Sequence, residues 1–157
     1  MAIIVREAWA EELMQINGLR KMVNDIHVAN RPDVFRPGFC DELKQHLYEK
    51  YRAPDSNIFV AVTDGAVCGF AIVEYVEKPL SPFNNARKTY HVHEFGVDEK
   101  ARRKGVATAL MNFIKADARS RGYDRIDLSV WEFNGGALSF YESAGFQTCR
   151  RYMEMEL

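Results

Sequence analysis

Cysteine is scarce in this chain, at three among 157 residues. An odd count with no C-x-x-C pair supports neither a disulfide framework nor a zinc-binding knuckle. Cys40, Cys68 and Cys149 read instead as small, mostly buried thiols in a reducing compartment. Long hydrophobic runs are lacking as well. The apolar stretch Ala2-Ile-Ile-Val5 is too short for a signal-peptide core or a membrane span, so a cytoplasmic protein with no membrane partner is expected. Charge of one sign is also lacking. Lys and Arg number 21 against 22 Asp and Glu, for a formal charge of -1, and nothing draws the whole chain to nucleic acid or an anionic surface. Repeats and low-complexity tracts are missing, and so are the glycine spacings of a P-loop or a G-x-G-x-x-G dinucleotide turn.

What is present suits a packed domain. The chain is 47% hydrophobic and 12% aromatic, and its length fits one domain, residues 1–157. A short β-branched strand is expected at Ala2–Arg6. Leu13, Ile16, Leu19, Val23 and Ile26 recur at steps of three and four, which predicts a helix from Trp9 to about Ala29. Two prolines and a glycine within Asn30–Gly38 break it, and a second helix runs from Asp41 to Tyr51. The period then changes to strands at Asn57–Thr63 and Val67–Val76 around a tight Asp64-Gly65 turn. A long loop, Lys78–Lys88, leads to a strand at Tyr90–Val97. A helix at Val106–Arg121 ends at Gly122. A strand at Arg125–Trp131, a short helix at Gly136–Ser143 and a last strand at Phe146–Leu157 follow. Hairpin-linked middle strands and late alternation predict an α/β fold, more closely an α+β mixed sheet, with helices on both faces.

The most informative segment is Phe95-Gly-Val-Asp-Glu-Lys-Ala-Arg-Arg-Lys-Gly-Val-Ala-Thr108. A strand ends, a basic loop follows, and Gly105 opens a helix. Unpaired amides and the positive end of a helix dipole suit a phosphate group. Gly105 and Ala107 carry little or no side chain, and Arg102, Arg103 and Lys104 add positive charge. On its own the segment also fits a solvated charge cluster or a small nucleic-acid patch extended by Arg119 and Arg121.

This strand, R-x-x-G-x-A turn and helix resemble the acetyl-CoA site of the GNAT superfamily of N-acetyltransferases. Downstream, Asn134-Gly-Gly-Ala137-Leu-Ser-Phe-Tyr141-Glu-Ser-Ala-Gly145-Phe146 is similar to the family's N-x-x-A-x-x-x-Y-x-x-x-G-F segment. The likeness covers about Tyr90 to Phe146. It implies a mostly antiparallel sheet with two splayed parallel strands, here Tyr90–Val97 and Arg125–Trp131, and acetyl-CoA between them with no metal. It further implies that Phe95 and Val97 pair with pantetheine through the main chain, and that the Val97 amide polarises the thioester carbonyl. The pyrophosphate would lie on amides from Arg103 through Lys104, Gly105, Val106 and Ala107 to Thr108. Asn134 and Ala137 match positions that touch the pantetheine arm, and Tyr141 matches the tyrosine that protonates the departing CoA thiolate.

An alkyl amine is almost wholly protonated at neutral pH, so attack on a thioester needs a proton acceptor. Alternation places His91 and His93 on one face of their strand, at positions where a branch of the family carries paired histidines. The pair also fits a packed surface pair, or a metal site for which no third ligand is evident. Glu94 points to the opposite face of an ideal strand, but a bulge would re-aim it, which makes it the reserve base. For an acceptor, Asp33, Glu74, Glu77 and Glu132 offer negative charge, and Phe35, Phe39, Tyr75 and Trp131 an apolar wall. No residue chooses among a small amine, an aminoglycoside or a peptide amine. The family carries proline where Glu99 stands, an aromatic where Ala101 stands, and a longer tail after Phe146. An exposed last strand suits pairing with a second subunit in a homodimer. The expected reaction is direct acetyl transfer from acetyl-CoA to a primary amine of a small molecule or peptide. The rival reading is a non-catalytic acyl-CoA-binding module.

Overall fold

Five strands pair side by side in chain order: β1 Ile4–Glu7, β2 Ser56–Thr63, β3 Ala66–Lys78, β4 Arg87–Val97 and β5 Ile126–Asp127. The computed structural model of the chain describes residues 2–157, and Met1 lies outside them. Neighbours from β1 to β4 run antiparallel, and β4 and β5 run parallel. Asp64 and Gly65 both take positive φ, 49° and 77°, as a two-residue turn matched to strand twist requires.

Helices cover both faces of the sheet, as the change of period predicts. On one face, Leu13, Ile16 and Leu19 of α1 (Leu13–Asn30) and Leu47 of α2 (Asp41–Arg52) bury against Ile58, Val60, Phe70 and Ile72. On the other, Leu110, Met111 and Ile114 of α3 (Val106–Ser120) bury against Ala71, Val73, Tyr90 and Val92. α4 (Gly135–Ser143) lies on this second face through Phe140 and Tyr141. Each large apolar side chain fully removed from water contributes roughly 1.5–3 kcal/mol relative to its exposed form. Asp41 and Glu42 open α2, and Lys50 and Arg52 close it, so its charges complement the helix dipole. Among the described residues, no helix is long and apolar enough to cross a membrane.

Several expectations need correction. The first helix begins at Leu13 after a 3₁₀ turn at Ala10–Glu12. There the Glu12 carboxylate accepts from the Trp9 amide and from Arg6. The strand expected over Arg125–Trp131 is only Ile126–Asp127, because the chain leaves β4 after two paired residues. The last strand, Phe146–Leu157, does not form. The Phe146 amide donates to the Tyr141 carbonyl at 3.0 Å, and residues 147–157 make no backbone hydrogen bond among the described residues. A strand exists only by virtue of a neighbour, and the two-residue β5 offers little edge. Of the thiols, only Cys68 is buried. Cys40 and Cys149 are exposed, since one precedes α2 and the other sits on the unpaired tail.

Gly96 marks the tightest packing under β4. A Cβ there would stand 2.7 Å from Phe70 Cε1 and 2.9 Å from Val23 Cγ2. Gly96→Ala is expected to destabilise the fold by about 1–3 kcal/mol, read as a lower urea midpoint with unchanged slope.

Candidate active site

The site begins with a one-residue irregularity in β4. Val92 pairs with Val73 and Glu94 with Ile72, so His93 has no partner in β3. The extra residue resets the alternation. Before it, His91 lies opposite Glu74 and shares the α1/α2 face with Ile72. After it, Glu94 occupies that same face and Phe95 the opposite one, against the α3/α4 core. His91, His93 and Glu94 therefore look toward α1 and α2 together. The two imidazoles share a face, as alternation predicts, and the bulge brings Glu94 to that face as well.

Each of these side chains is held by a partner of opposite character. His91 Nδ1 lies 2.7 Å from Asp127 Oδ1 on β5, and His93 Nδ1 lies 3.1 Å from Glu74 Oε1. A carboxylate at Nδ1 fixes each ring; the Nε2 of His93 faces the Nε2 of His46 at 3.4 Å. Glu74 also accepts from Lys50 at 2.9 Å. Burial works to raise its pKa, but the Lys50 ammonium and the neighbouring imidazoles prevail and hold it below the usual carboxylate range. Burial lowers the pKa of His93, against the opposing pull of Glu74 and Glu94, and so favours the neutral, proton-accepting ring. Glu94 is bound by Arg20 through Nε at 3.0 Å to Oε1 and Nη2 at 3.0 Å to Oε2. Arg20 is itself buried and donates to Asn17 Oδ1 and the Leu43 carbonyl. Both oxygens of Glu94 are thus engaged by one guanidinium.

On the other edge of β4 the backbone is open. The Tyr90 amide donates across to the Arg125 carbonyl of the chain leading into β5, and the Asp98 amide donates back to Cys68 of β3. With the bulge between them, alternation turns the amides of Phe95 and Val97 away from β3. They look into the gap that β5 leaves when it departs after Asp127.

Beyond Val97 the chain makes a 3₁₀ turn, Glu99–Ala101, capped by the Asp98 side chain. Arg103 takes φ 61° and Gly105 φ 85° before α3 starts. The first α-helical bond runs from the Ala109 amide to the Gly105 carbonyl at 2.9 Å. Among the described residues, the six amides from Arg103 to Thr108 have no acceptor within the chain. Arg102, Arg103 and Lys104 are exposed and join no ion pair among those residues. This is a ready cradle for an anionic diphosphate.

α4 frames the same gap from the α3 face. Asn134 caps it, its Oδ1 accepting from the Ala137 amide at 3.2 Å, and Lys115 of α3 donates to the Ala144 carbonyl. Phe140 stacks on Phe95 at 5.8 Å, and the Tyr141 ring meets Phe95 edge-on at 6.1 Å. Burial alone pushes the Tyr141 phenol up to about 12, so it keeps its proton at neutral pH.

The suggested acceptor wall separates into groups. Phe35 and Trp131 meet at 5.5 Å, with His27 and Phe133 beside them. Phe39 instead lies under the Arg20 guanidinium, and Tyr75 belongs to a separate cluster with Tyr90 and Tyr123. Asp33 is engaged by Arg31, which also binds Glu154 of the tail. Glu77 and Glu132 are exposed. Sequence reasoning missed Asp127, His46, Lys50 and Arg20. Two left a signal: Arg20 sits on the apolar stripe of α1, and Asp127 interrupts an apolar strand.

Splayed parallel strands with a glycine-opened helix between them define an acyl-CoA-binding acetyltransferase fold. The model of the acetyltransferase (GNAT) family matches residues 10–146, and the chain belongs to that family, whose cosubstrate is acetyl-CoA. The chain is 29% identical to the L-amino acid N-acetyltransferase AaaT of Escherichia coli over 80% of its own length and 75% of that protein. It is 28% identical to rat N-acetyltransferase family 8 member 2 over 68% of its length, and there spans only 45% of the relative. A mutant of the BH1408 protein of Bacillus halodurans superposes with TM-score 0.94 at 27% identity, covering 98% of this chain and 99% of that one. The aminoglycoside N-acetyltransferase AAC(6')-Iy, solved with CoA, shares the fold at TM-score 0.78 and 18% identity, over 99% of this chain and 95% of that one.

Gly105→Ala tests the cradle. An L-residue at φ 85° costs roughly 1–2 kcal/mol, and the turn relieves that strain by shifting its amides. Calorimetry is expected to show acetyl-CoA bound at least about fivefold more weakly, with the urea midpoint falling modestly.

Proposed function

We propose that this chain transfers the acetyl group of acetyl-CoA directly to a primary amine of a small molecule or peptide. The observation that carries the reading is the placement of two kinds of proton-handling group on opposite faces of one splayed strand. The carboxylate-held imidazoles lie on the α1/α2 face, and the proton-retaining Tyr141 lies on the α3/α4 face. A thioester threaded through the gap would meet an amine on one side and a proton donor on the other.

The pyrophosphate rests on the amides from Arg103 to Thr108, with Arg102, Arg103 and Lys104 supplying charge. Pantetheine pairs with the main chain at Phe95 and Val97 and passes Asn134 and Ala137. The amine nitrogen attacks the carbonyl carbon while the Val97 amide stabilises the developing oxyanion. The proton leaving the amine goes to Nε2 of His93, with His91 beside it at a ring separation of 6.2 Å. The C–S bond breaks, and the Tyr141 phenol protonates the thiolate. Glu94, held by Arg20, is the reserve base.

The aromatic group around Phe35 and Trp131 supports an acceptor that presents an apolar portion beside its amine. The whole chain acts as one domain, and its unpaired thiols suit a cytoplasmic setting. The tail, with Tyr152, Met153 and Met155 exposed, supports a homodimer in which these apolar side chains pack against a second copy. Light scattering is expected to give twice the chain mass; a monomer at high micromolar concentration would dismiss that pairing.

The central test is a panel of L-amino acids, ornithine, aminoglycosides and peptide amines assayed by CoA release. Tyr141→Phe is expected to lower kcat about 100-fold with little change in acetyl-CoA affinity. Because the Tyr141 proton is lost only near 12, kcat should show no alkaline fall from this group between about pH 7 and about pH 10, where an ordinary phenol begins to ionise. His93→Ala should cost more than His91→Ala. Tight acetyl-CoA binding with no turnover on the whole panel would favour the non-catalytic acyl-CoA module.

A further inference from the structure

α2 brings a third imidazole to the histidine strand. His46 Nε2 lies 3.4 Å from His93 Nε2, and the Glu94 carboxylate offers an oxygen, with all three ligand atoms within 4.8 Å of one another. Two nitrogens bound to one tetrahedral zinc, each about 2.0–2.1 Å from the metal, stand about 3.3–3.4 Å apart. The imidazole spacing is therefore that of a ligand pair. The protonation pattern agrees. Glu74 occupies His93 Nδ1 at 3.1 Å, the carboxylate–histidine arrangement that commonly supports a ligating ring, and leaves the Nε2 lone pair directed at His46. Arg20 contacts both Glu94 oxygens, but a carboxylate has about four acceptor sites, so one oxygen has capacity to turn toward a cation.

From this geometry we infer that His46, His93 and Glu94 form a binding site for a zinc-class divalent cation, and that its occupancy withholds His93 from acetyl transfer. The cation takes no part in the reaction. It claims the nitrogen lone pair that would otherwise accept the proton of the amine, while the Nδ1 proton stays with Glu74. Water completes the coordination, since the site opens to solvent at His93, whose side chain is 35% exposed. Lys50 and Arg20 stand close by and oppose the cation's charge, which makes the site weaker than a structural zinc site. The inhibitory half of the inference rests on His93 as the base; the binding half does not.

The two halves separate experimentally. The full chain carrying Cys40→Ser and Cys149→Ser, to remove the exposed thiols, is titrated with zinc chloride by calorimetry and with cobalt chloride by visible absorption. The expected result is one equivalent per chain, with a d–d spectrum of nitrogen and oxygen ligation and no thiolate band in the near ultraviolet. His46→Ala should weaken zinc at least tenfold while its acetyl-CoA titration shows a folded protein. Glu74→Gln should weaken zinc about tenfold through the orienting carboxylate alone. Zinc should inhibit acetyl transfer over the same concentrations at which it binds, and His46→Ala should shift that inhibition equally. No binding at millimolar zinc, or binding unchanged in His46→Ala, overturns the site and leaves His46 a hydrogen-bond neighbour of His93. Binding lost in His46→Ala while the parent protein turns over at saturating zinc upholds the site and overturns the inhibition. That last result also moves the base role to His91.

Discussion

In β4, His93 is the residue that β3 does not match, and the strand must absorb it while staying bonded on both sides of the insertion. The backbone does so by a bulge, in which two residues of β4 face one of β3. Everything after that point is shifted by one position relative to an ideal strand. Glu94 moves to the face of Arg20, Phe95 moves to the face of Tyr141, and the next free amides open toward the gap. Without the extra residue, Glu94 and Phe95 would each lie on the opposite face of the sheet.

The shift introduces charge beneath helices that otherwise bury hydrocarbon. Glu94 would sit at the margin of a core containing Phe70 and Ile72 without compensation, and Arg20 supplies it with a two-pronged contact from within α1. Arg20 is 4% exposed, so its remaining donors need partners, and Asn17 and the Leu43 carbonyl provide them. The chain from Leu43 to Glu94 thereby ties α2, α1 and β4 together. The imidazoles are handled the same way at lower cost, each with a carboxylate on one nitrogen. The site is a hydrogen-bonded network in which removing one member leaves another unpaired.

The gap between β4 and β5 has its own physical logic. A parallel pair held by two residues leaves unsatisfied backbone along the rest of β4, and such groups need either water or a ligand. The same holds for the amides at the start of α3. The two sets of free amides follow one another directly along the chain, from β4 into the start of α3. Unpaired main-chain groups depend little on side-chain identity, so the turn tolerates residues such as Glu99 and Ala101.

Much of this was legible in the amino-acid order. Period 3.6 in Leu13–Leu19 and Leu110–Ile114, period 2 around Phe59–Ala61, and the Asp64-Gly65 turn identify the elements, because local geometry fixes which residues share a face. Gly105 after Arg102-Arg103-Lys104 identifies the anion cradle, because a left-handed cap and free amides are local properties of a helix start. Tyr141 was found through its motif. Other features depend on neighbours distant in the chain. Whether Arg125–Trp131 and Phe146–Leu157 become strands is decided by the presence of a bonding partner, which periodicity does not report. The contacts of Glu94 with Arg20, His91 with Asp127, and His93 with both Glu74 and His46 join residues separated by between 19 and 74 positions. Only the packing of α1 and α2 on the bulged strand brings them within bonding distance, since electrostatics and hydrogen bonding act through space and not along the sequence.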